Sequence, residues 1–187
     1  MSFIFTPTEI PEVLLIETKR FEDDRGFFSE TFRASEFEEH GLPPFVQENH
    51  SRSVPTTFRG FHYQINPKPQ AKLVYCVSGS IWDMAIDIRK KSRTYGTSVG
   101  VELSEENGKM LYIPEGFAHG FLALDRSHVV YKVTEYYSPE HDRCIRWDDE
   151  SIGVKWPVGI ENVQHMNISN KDRAAPLLVN ADNNFTI

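Results

Sequence analysis

Ser80-Ile81-Trp82-Asp83-Met84-Ala85-Ile86-Asp87-Ile88 is the stretch that decides the fold. Trp82, Met84, Ile86 and Ile88 share one parity, with Asp83 and Asp87 on the other. A period of two belongs to a strand with two different faces, not to a helix. Just before it, Ser78-Gly79 reads as a tight connection to another strand over 71–78. Outward from this pair the texture repeats at 13–18, 26–31, 57–64, 97–103, 109–113, 120–123 and 129–137, with Gly, Pro, Asn and Asp between the runs. One short helix is predicted near 34–40, with Ser35 and Glu38 as a capping box and Gly41 closing its end. Short antiparallel strands with so little helix predict an all-β jelly-roll barrel. A single domain is expected over 1–187, with an irregular, loosely ordered tail from about 177.

Composition narrows the function. Apolar residues make up 40% of the 187, with 13 Phe, 7 Tyr and 3 Trp, enough for a packed core. The net charge of −7 argues against nucleic acid as the partner. It leaves room for an anionic small molecule, because a few local arginines outweigh distant charge. The two cysteines, Cys76 and Cys144, fit neither a disulfide framework nor a zinc site and suit a reduced, cytoplasmic setting. The first nine residues have no basic and apolar leader pattern, and no apolar run approaches the roughly 18 residues of a membrane span.

Two segments carry chemistry. In Phe58-Arg59-Gly60-Phe61-His62-Tyr63-Gln64, strand alternation places Gly60, His62 and Gln64 on one face and Arg59, Phe61 and Tyr63 on the other. An imidazole on an inner face is either a hydrogen-bonded core group or a working base, since its ordinary pKa near ~6.5 suits proton abstraction at neutral pH. As a base it needs an orienting partner; Asp172 is a candidate, although by sequence alone it reads as a solvated loop carboxylate. The second segment, Ile113-Pro114-Glu115-Gly116-Phe117-Ala118-His119-Gly120-Phe121, is a turn that delivers His119 onto a strand. It resembles the second motif of the cupin jelly rolls. Metal-dependent cupins pair that histidine with a His-x-His, and here the earlier segment reads His62-Tyr63-Gln64, with Lys72 downstream. An ammonium opposes a divalent cation, so a metal-free barrel is expected. Tyr131 and Tyr137 share parity in the run 129–137, about 20 Å apart if the strand is unbroken. Either can pack, donate a proton or stack on a flat ring. Arg25 and Arg59 offer planar forks suited to a diphosphate, or plain surface ion pairs.

In order and spacing, these segments resemble the dTDP-4-dehydrorhamnose 3,5-epimerase family. The resemblance rests on Asp24-Arg25-Gly26-Phe27-Phe28-Ser29-Glu30, Gln47-Glu48-Asn49-His50-Ser51, 59–64, Gln70-Ala71-Lys72-Leu73-Val74 and 113–121. It continues through 131–137, Arg146-Trp147-Asp148-Asp149, Trp156-Pro157 and Lys171-Asp172. It implies a homodimeric jelly roll that uses neither metal nor cofactor and epimerises dTDP-4-dehydro-6-deoxy-D-glucose at C3 and C5. It implies His62 as proton acceptor with Asp172 as its partner, Tyr131 as proton donor, and Lys72 and His119 beside the sugar. Tyr137 matches the residue stacked on thymine, and Arg25, Glu30, Gln47, Asn49, Arg59 and Lys171 match nucleotide or phosphate contacts. Asp142 stands where the family usually has Glu, a contact one methylene shorter. Competing readings are an epimerase acting at C3 alone or C5 alone, a metal-dependent cupin oxygenase, and a non-catalytic sugar-nucleotide-binding cupin.

Overall fold

The computed structural model describes residues 3–154, 156–157 and 165–187. Its strands are β1 (Phe3–Pro7), β2 (Leu14–Thr18), β3 (Arg20–Asp23), β4 (Gly26–Ser29), β5 (Gln47–Ser53), β6 (Thr57–Gln64), β7 (Lys72–Ser78), β8 (Ser80–Asp87), β9 (Ser98–Ser104), β10 (Met110–Ile113), β11 (Phe117–Ala123), β12 (Ser127–Val133), β13 (Asp142–Cys144) and β14 (Asn167–Ile168). Among the described residues there are two short α-helices, α1 (Ala34–Glu39) and α2 (Asn170–Arg173), and 3₁₀ turns at Glu150–Ile152 and Leu178–Asn180. One sheet runs β1-β2-β10-β7-β12-β5, the other β13-β6-β11-β8-β9 with β14 beside β6, and β3-β4 form a separate hairpin. This is the expected cupin-like jelly roll.

Burial explains the patterning. Between the sheets lies an apolar cluster including Val74, Ile81, Leu103, Leu111, Phe117, Phe121 and Val129. The outer face of the β6-β11-β8 sheet packs Phe58, Phe61, Tyr63, Met84, Ile86 and Ile88 under the chain that follows β13, including Ile145, Ile168, Leu178 and Phe185. The outer face of the other sheet is covered by Phe37 of α1 and Leu42, packed with Ile16, Leu73 and Met110. Strand β11 is central and buried at all seven positions, so it shows no alternation. The step from β7 to β8 passes between sheets through Gly79, at φ +73°, where a Cβ would meet the Arg126 carbonyl oxygen at 2.2 Å.

Several expectations change. The α1 N-cap is Arg33 with no side-chain cap, not a Ser35–Glu38 box, whereas Gly41 does close the helix at φ +78° with its N–H on the Glu38 carbonyl. The run 129–137 ends as a strand at Val133, so Tyr137 lies on the loop beyond it. The tail is irregular but packed: Asn183 and Phe185 are buried, Tyr63 donates to the Asp182 carbonyl at 2.8 Å, and Thr186 bridges to Lys90. Strands β1, β3, β5, β13 and β14 are additional. Polar β5 escapes prediction because it is an edge strand whose inner row faces polar groups.

Alternation in β6 breaks at Gly60, at φ +143°. Phe58 stacks edge-on against Phe61 at 5.2 Å in the outer cluster, while Arg59 turns to β5 and donates to Ser53 Oγ at 3.0 Å. Arg59 therefore does not share the face of Phe61 and Tyr63. A matching register shift lies between His119 and Phe121 of β11. A Cβ on Gly60 would stand 2.5 Å from Gly120 Cα, a backbone clash that nothing flexible can relieve. Gly60→Ala is expected to cost about 3 kcal/mol or more. Gly41→Ala, where a Cβ meets nothing within 4 Å, is expected to cost only about 1 kcal/mol. Urea unfolding midpoints of the two variants check the ordering.

Candidate active site

Strands β6 and β11 pair His62 directly opposite His119, and β13 pairs Cys144 opposite His62. These side chains therefore enter the space between the sheets from one wall. From the other wall, β7 contributes Lys72 and β12 contributes Tyr131, which pairs with Asn49 on one side and Val74 on the other.

His62 Nε2 lies 2.8 Å from Asp172 Oδ1. Asp172 is buried in α2, whose N-cap Ser169 takes the Asp172 N–H on its hydroxyl. Burial pushes the Asp172 carboxyl up, but the hydrogen bond and charge of His62, with help from Ser169 and the Gly60 N–H, hold it below its ordinary value. The carboxylate is thus ionised, takes the proton on Nε2, and leaves Nδ1 as the acceptor. The loop reading of Asp172 is replaced by a buried dyad.

A second such pair lies deeper. His119 Nε2 is 2.7 Å from Asp83 Oδ1, and Asp83 is fully buried with Oδ2 lacking a hydrogen-bond partner among the described residues. Burial, reinforced by Lys72 and His62, keeps His119 below the usual histidine pKa against the pull of Asp83. Lys72 Nζ donates to the His62 carbonyl oxygen at 3.1 Å. Burial lowers its pKa to about 8, while Asp142 and Asp83 pull it back up. Tyr131 is pushed up by burial and by Asp142 against the nearby Arg59, so it stays a phenol at neutral pH.

At the mouth a chain of polar contacts joins three elements. Gln47 donates to Asn49 Oδ1 at 2.8 Å and accepts the Tyr137 N–H at 3.0 Å. The Tyr137 hydroxyl donates to Asp142 at 3.4 Å, and Asp142 is ion-paired with Lys171. Tyr137 leaves a half-exposed ring facing outward. Sequence reasoning missed two supports. Asp83 looked like the polar parity of an ordinary strand. Gln64 anchors the Tyr137 loop, accepting the Ser138 N–H at 2.8 Å and donating to the Tyr136 carbonyl.

Arg25 and Glu30 do not join this cluster. Arg25 is at the tip of the β3-β4 hairpin, bonded to Asp23 and 89% exposed; Glu30 is bonded to Arg33. The hairpin is anchored by Arg20 on the carbonyls of Glu105 and Glu106, beside Gly79. That is the far end of β7 from Lys72, about 20 Å away at ~3.3 Å per residue.

A family model described as dTDP-4-dehydrorhamnose 3,5-epimerase matches residues 7–180. The chain belongs to this epimerase family. The Shigella flexneri dTDP-4-dehydrorhamnose 3,5-epimerase is 49% identical over 178 residues, 94% of this chain and 96% of that one. The Legionella pneumophila dTDP-6-deoxy-D-glucose-3,5-epimerase, solved with dTDP-4-keto-L-rhamnose, superimposes with a TM-score of 0.88 at 43% identity, covering 95% of this chain and 93% of its own. A 3'-monoepimerase from Streptomyces bikiniensis, solved with dTDP-quinovose, gives 0.85 at 31% identity over 92% of this chain and 87% of its own.

Within this cluster, Asp83 together with Asp142 supports the Lys72 ammonium against burial. Asp83→Asn keeps the shape and removes the charge, and is expected to lower the Lys72 pKa below about 8. Nitrogen-15 NMR titration of the lysine Nζ reads this; an unchanged Lys72 titration would contradict it.

Proposed function

We propose that the protein epimerises dTDP-4-dehydro-6-deoxy-D-glucose at C3 and C5 to dTDP-4-dehydro-L-rhamnose, on the route to dTDP-L-rhamnose. The observation that carries this reading is a His–Asp dyad and a protonated tyrosine on opposing walls of one interior, with a lysine from the tyrosine's wall reaching the His62 carbonyl.

The C4 ketone acidifies the hydrogens on its neighbours C3 and C5. His62 Nδ1 takes one of them, with Asp172 stabilising the imidazolium that forms. The electron pair moves onto the C4 oxygen, and the ammonium of Lys72 stabilises that enolate in a setting where burial strengthens the interaction. The Tyr131 phenol returns a proton from the opposite face, which inverts the carbon; the imidazolium then gives its proton to water and the phenolate takes one from water, and the reset base and acid serve the second carbon. His119, held neutral with Nε2–H on Asp83, positions the sugar through Nδ1. Tyr137 stacks on the thymine, its ring set by Gln47 and Asp142, while Asn49, Arg59 and Lys171 bind the nucleotide. In this reading Asp142 meets Lys171 directly, so the shorter carboxylate is used within the protein.

Two further readings attach. The chain works as one catalytic domain in a homodimer: the hairpin carries the exposed Phe21, Phe27 and Phe28 beside Arg25, an apolar surface that a second copy would cover while receiving Arg25 and Glu30 at its own phosphate subsite. Phe28→Asp is expected to shift sedimentation equilibrium from dimer to monomer. Cytoplasmic residence fits two buried, free cysteines, and among the described residues no helix is long and apolar enough to cross a membrane.

His62→Ala or Tyr131→Phe is expected to lower turnover by roughly 10²–10⁴-fold while dTDP binding persists. Incubation with the 4-keto sugar in D2O, with NMR at each carbon, is the decisive experiment. Label at C3 and C5 supports the full reaction; label at C3 only would move the protein towards the monoepimerases whose fold it shares. Unchanged exchange in His62→Ala would remove His62 as the base. On the alkaline side, kcat is expected to fall as pH rises through about 8, where Lys72 loses its proton.

A further inference from the structure

Cys144 has no part in the proton transfers above, yet it sits against the dyad. Its register with His62 places its side chain on the same wall, and its Sγ lies 3.7 Å from Asp172 Oδ1. His62, Cys144 and Asp172 each present a ligand atom, and all three atoms lie within 4.8 Å of one another. Cys144 and Asp172 are buried and His62 is partly so, which shields the cluster from competing water.

We propose that Cys144 Sγ, His62 Nε2 and one Asp172 oxygen form an inhibitory site for a soft divalent cation, with zinc as the best fit. A nitrogen, a sulfur and an oxygen are the ligands zinc takes, at about 2.0–2.3 Å in tetrahedral geometry, which needs ligand atoms roughly 3.3–3.8 Å apart. The Sγ–Oδ1 spacing of 3.7 Å already fits, the Nε2–Oδ1 spacing of 2.8 Å must widen, and the sulfur and the imidazole, within 4.8 Å of each other, close onto the ion. The sulfur disfavours magnesium and calcium. Thiolate and carboxylate supply two negative charges to match the cation's two, which offsets the repulsion from Lys72.

Binding proceeds without oxidant or reductant. The Cys144 S–H bond breaks as sulfur coordinates the metal, and the proton leaves to water. The His62 proton moves from Nε2 to Nδ1 as Nε2 coordinates. The ring stays neutral, but the nitrogen that would accept a carbon-bound proton is now occupied. Asp172 is drawn onto the metal and no longer supports an imidazolium. The metal thus removes the base without touching Tyr131 or the nucleotide contacts. The inhibition rests on the epimerase reading; the coordination itself does not.

The test uses full-length protein stripped with a chelator. Cobalt(II) titration of wild type is expected to produce a thiolate-to-cobalt charge-transfer band saturating at one equivalent per chain, bleached by zinc. In the D2O assay, micromolar zinc is expected to suppress exchange by about tenfold or more, reversibly with EDTA. Cys144→Ser and Cys144→Ala are expected to keep metal-free exchange within about twofold of wild type, lose the band, and require about tenfold more zinc or greater. No band in wild type would overturn the site. Equal zinc sensitivity in the two Cys144 variants would overturn the role of the sulfur. A band in a protein that shows no exchange with any 4-keto sugar would leave the metal site standing and remove the epimerase reading instead.

Discussion

The closeness of β6 to β11 at Gly60 and Gly120 is the constraint on which the site depends. With no Cβ on either residue, the two backbones meet where any side chain would force them apart. The strand phase slips at that point. Phe58 is left in the outer core with Phe61, Arg59 is released towards β5, and His62 comes into register with His119. The Gly60 N–H also helps hold Asp172 as a carboxylate. One tight contact thus sets the orientation of His62, the place of its carboxylate partner and the direction of a guanidinium.

The interior is organised by charge as well as shape. Two imidazoles, two carboxylates and one ammonium share a largely dry space, where an uncompensated ion costs several kcal/mol. Each histidine therefore has its own carboxylate, and Lys72 lies within the influence of Asp83 and Asp142. The arrangement is not tuned for stability alone. Among the described residues Asp83 Oδ2 has no donor, and a buried carboxylate oxygen left so costs about 1–3 kcal/mol in the folded state. The return is a lysine that holds a proton at neutral pH despite its burial.

Much of the barrel could be read from local pattern. The alternation of residues 80–88 and the turn at Gly79 mark a strand pair that the structure contains, because the second strand gives Met84, Ile86 and Ile88 to one apolar cluster and Ile81 and Ala85 to another. Where a strand's inner row faces the site instead of the core, the signal vanishes: Gln47, Asn49, Ser51 and Ser53 look like a loop and form β5. Residue types and order pointed to His62, Lys72, His119 and Tyr131, which converge between the sheets. Asp172 needed the fold, because its placement beside His62 bridges 110 positions of chain. Arg25 was legible as an arginine suited to phosphate, but not as one held on a hairpin away from its own interior.

Strand β6 has the dyad histidine on one side and Tyr63 on the other, and Tyr63 is tied to Asp182 while Phe185 packs in the same outer cluster. Residues 182–185 thus back the wall that carries His62. Substitutions in this distal segment would alter how firmly His62 is aimed, although none of them touches the pocket.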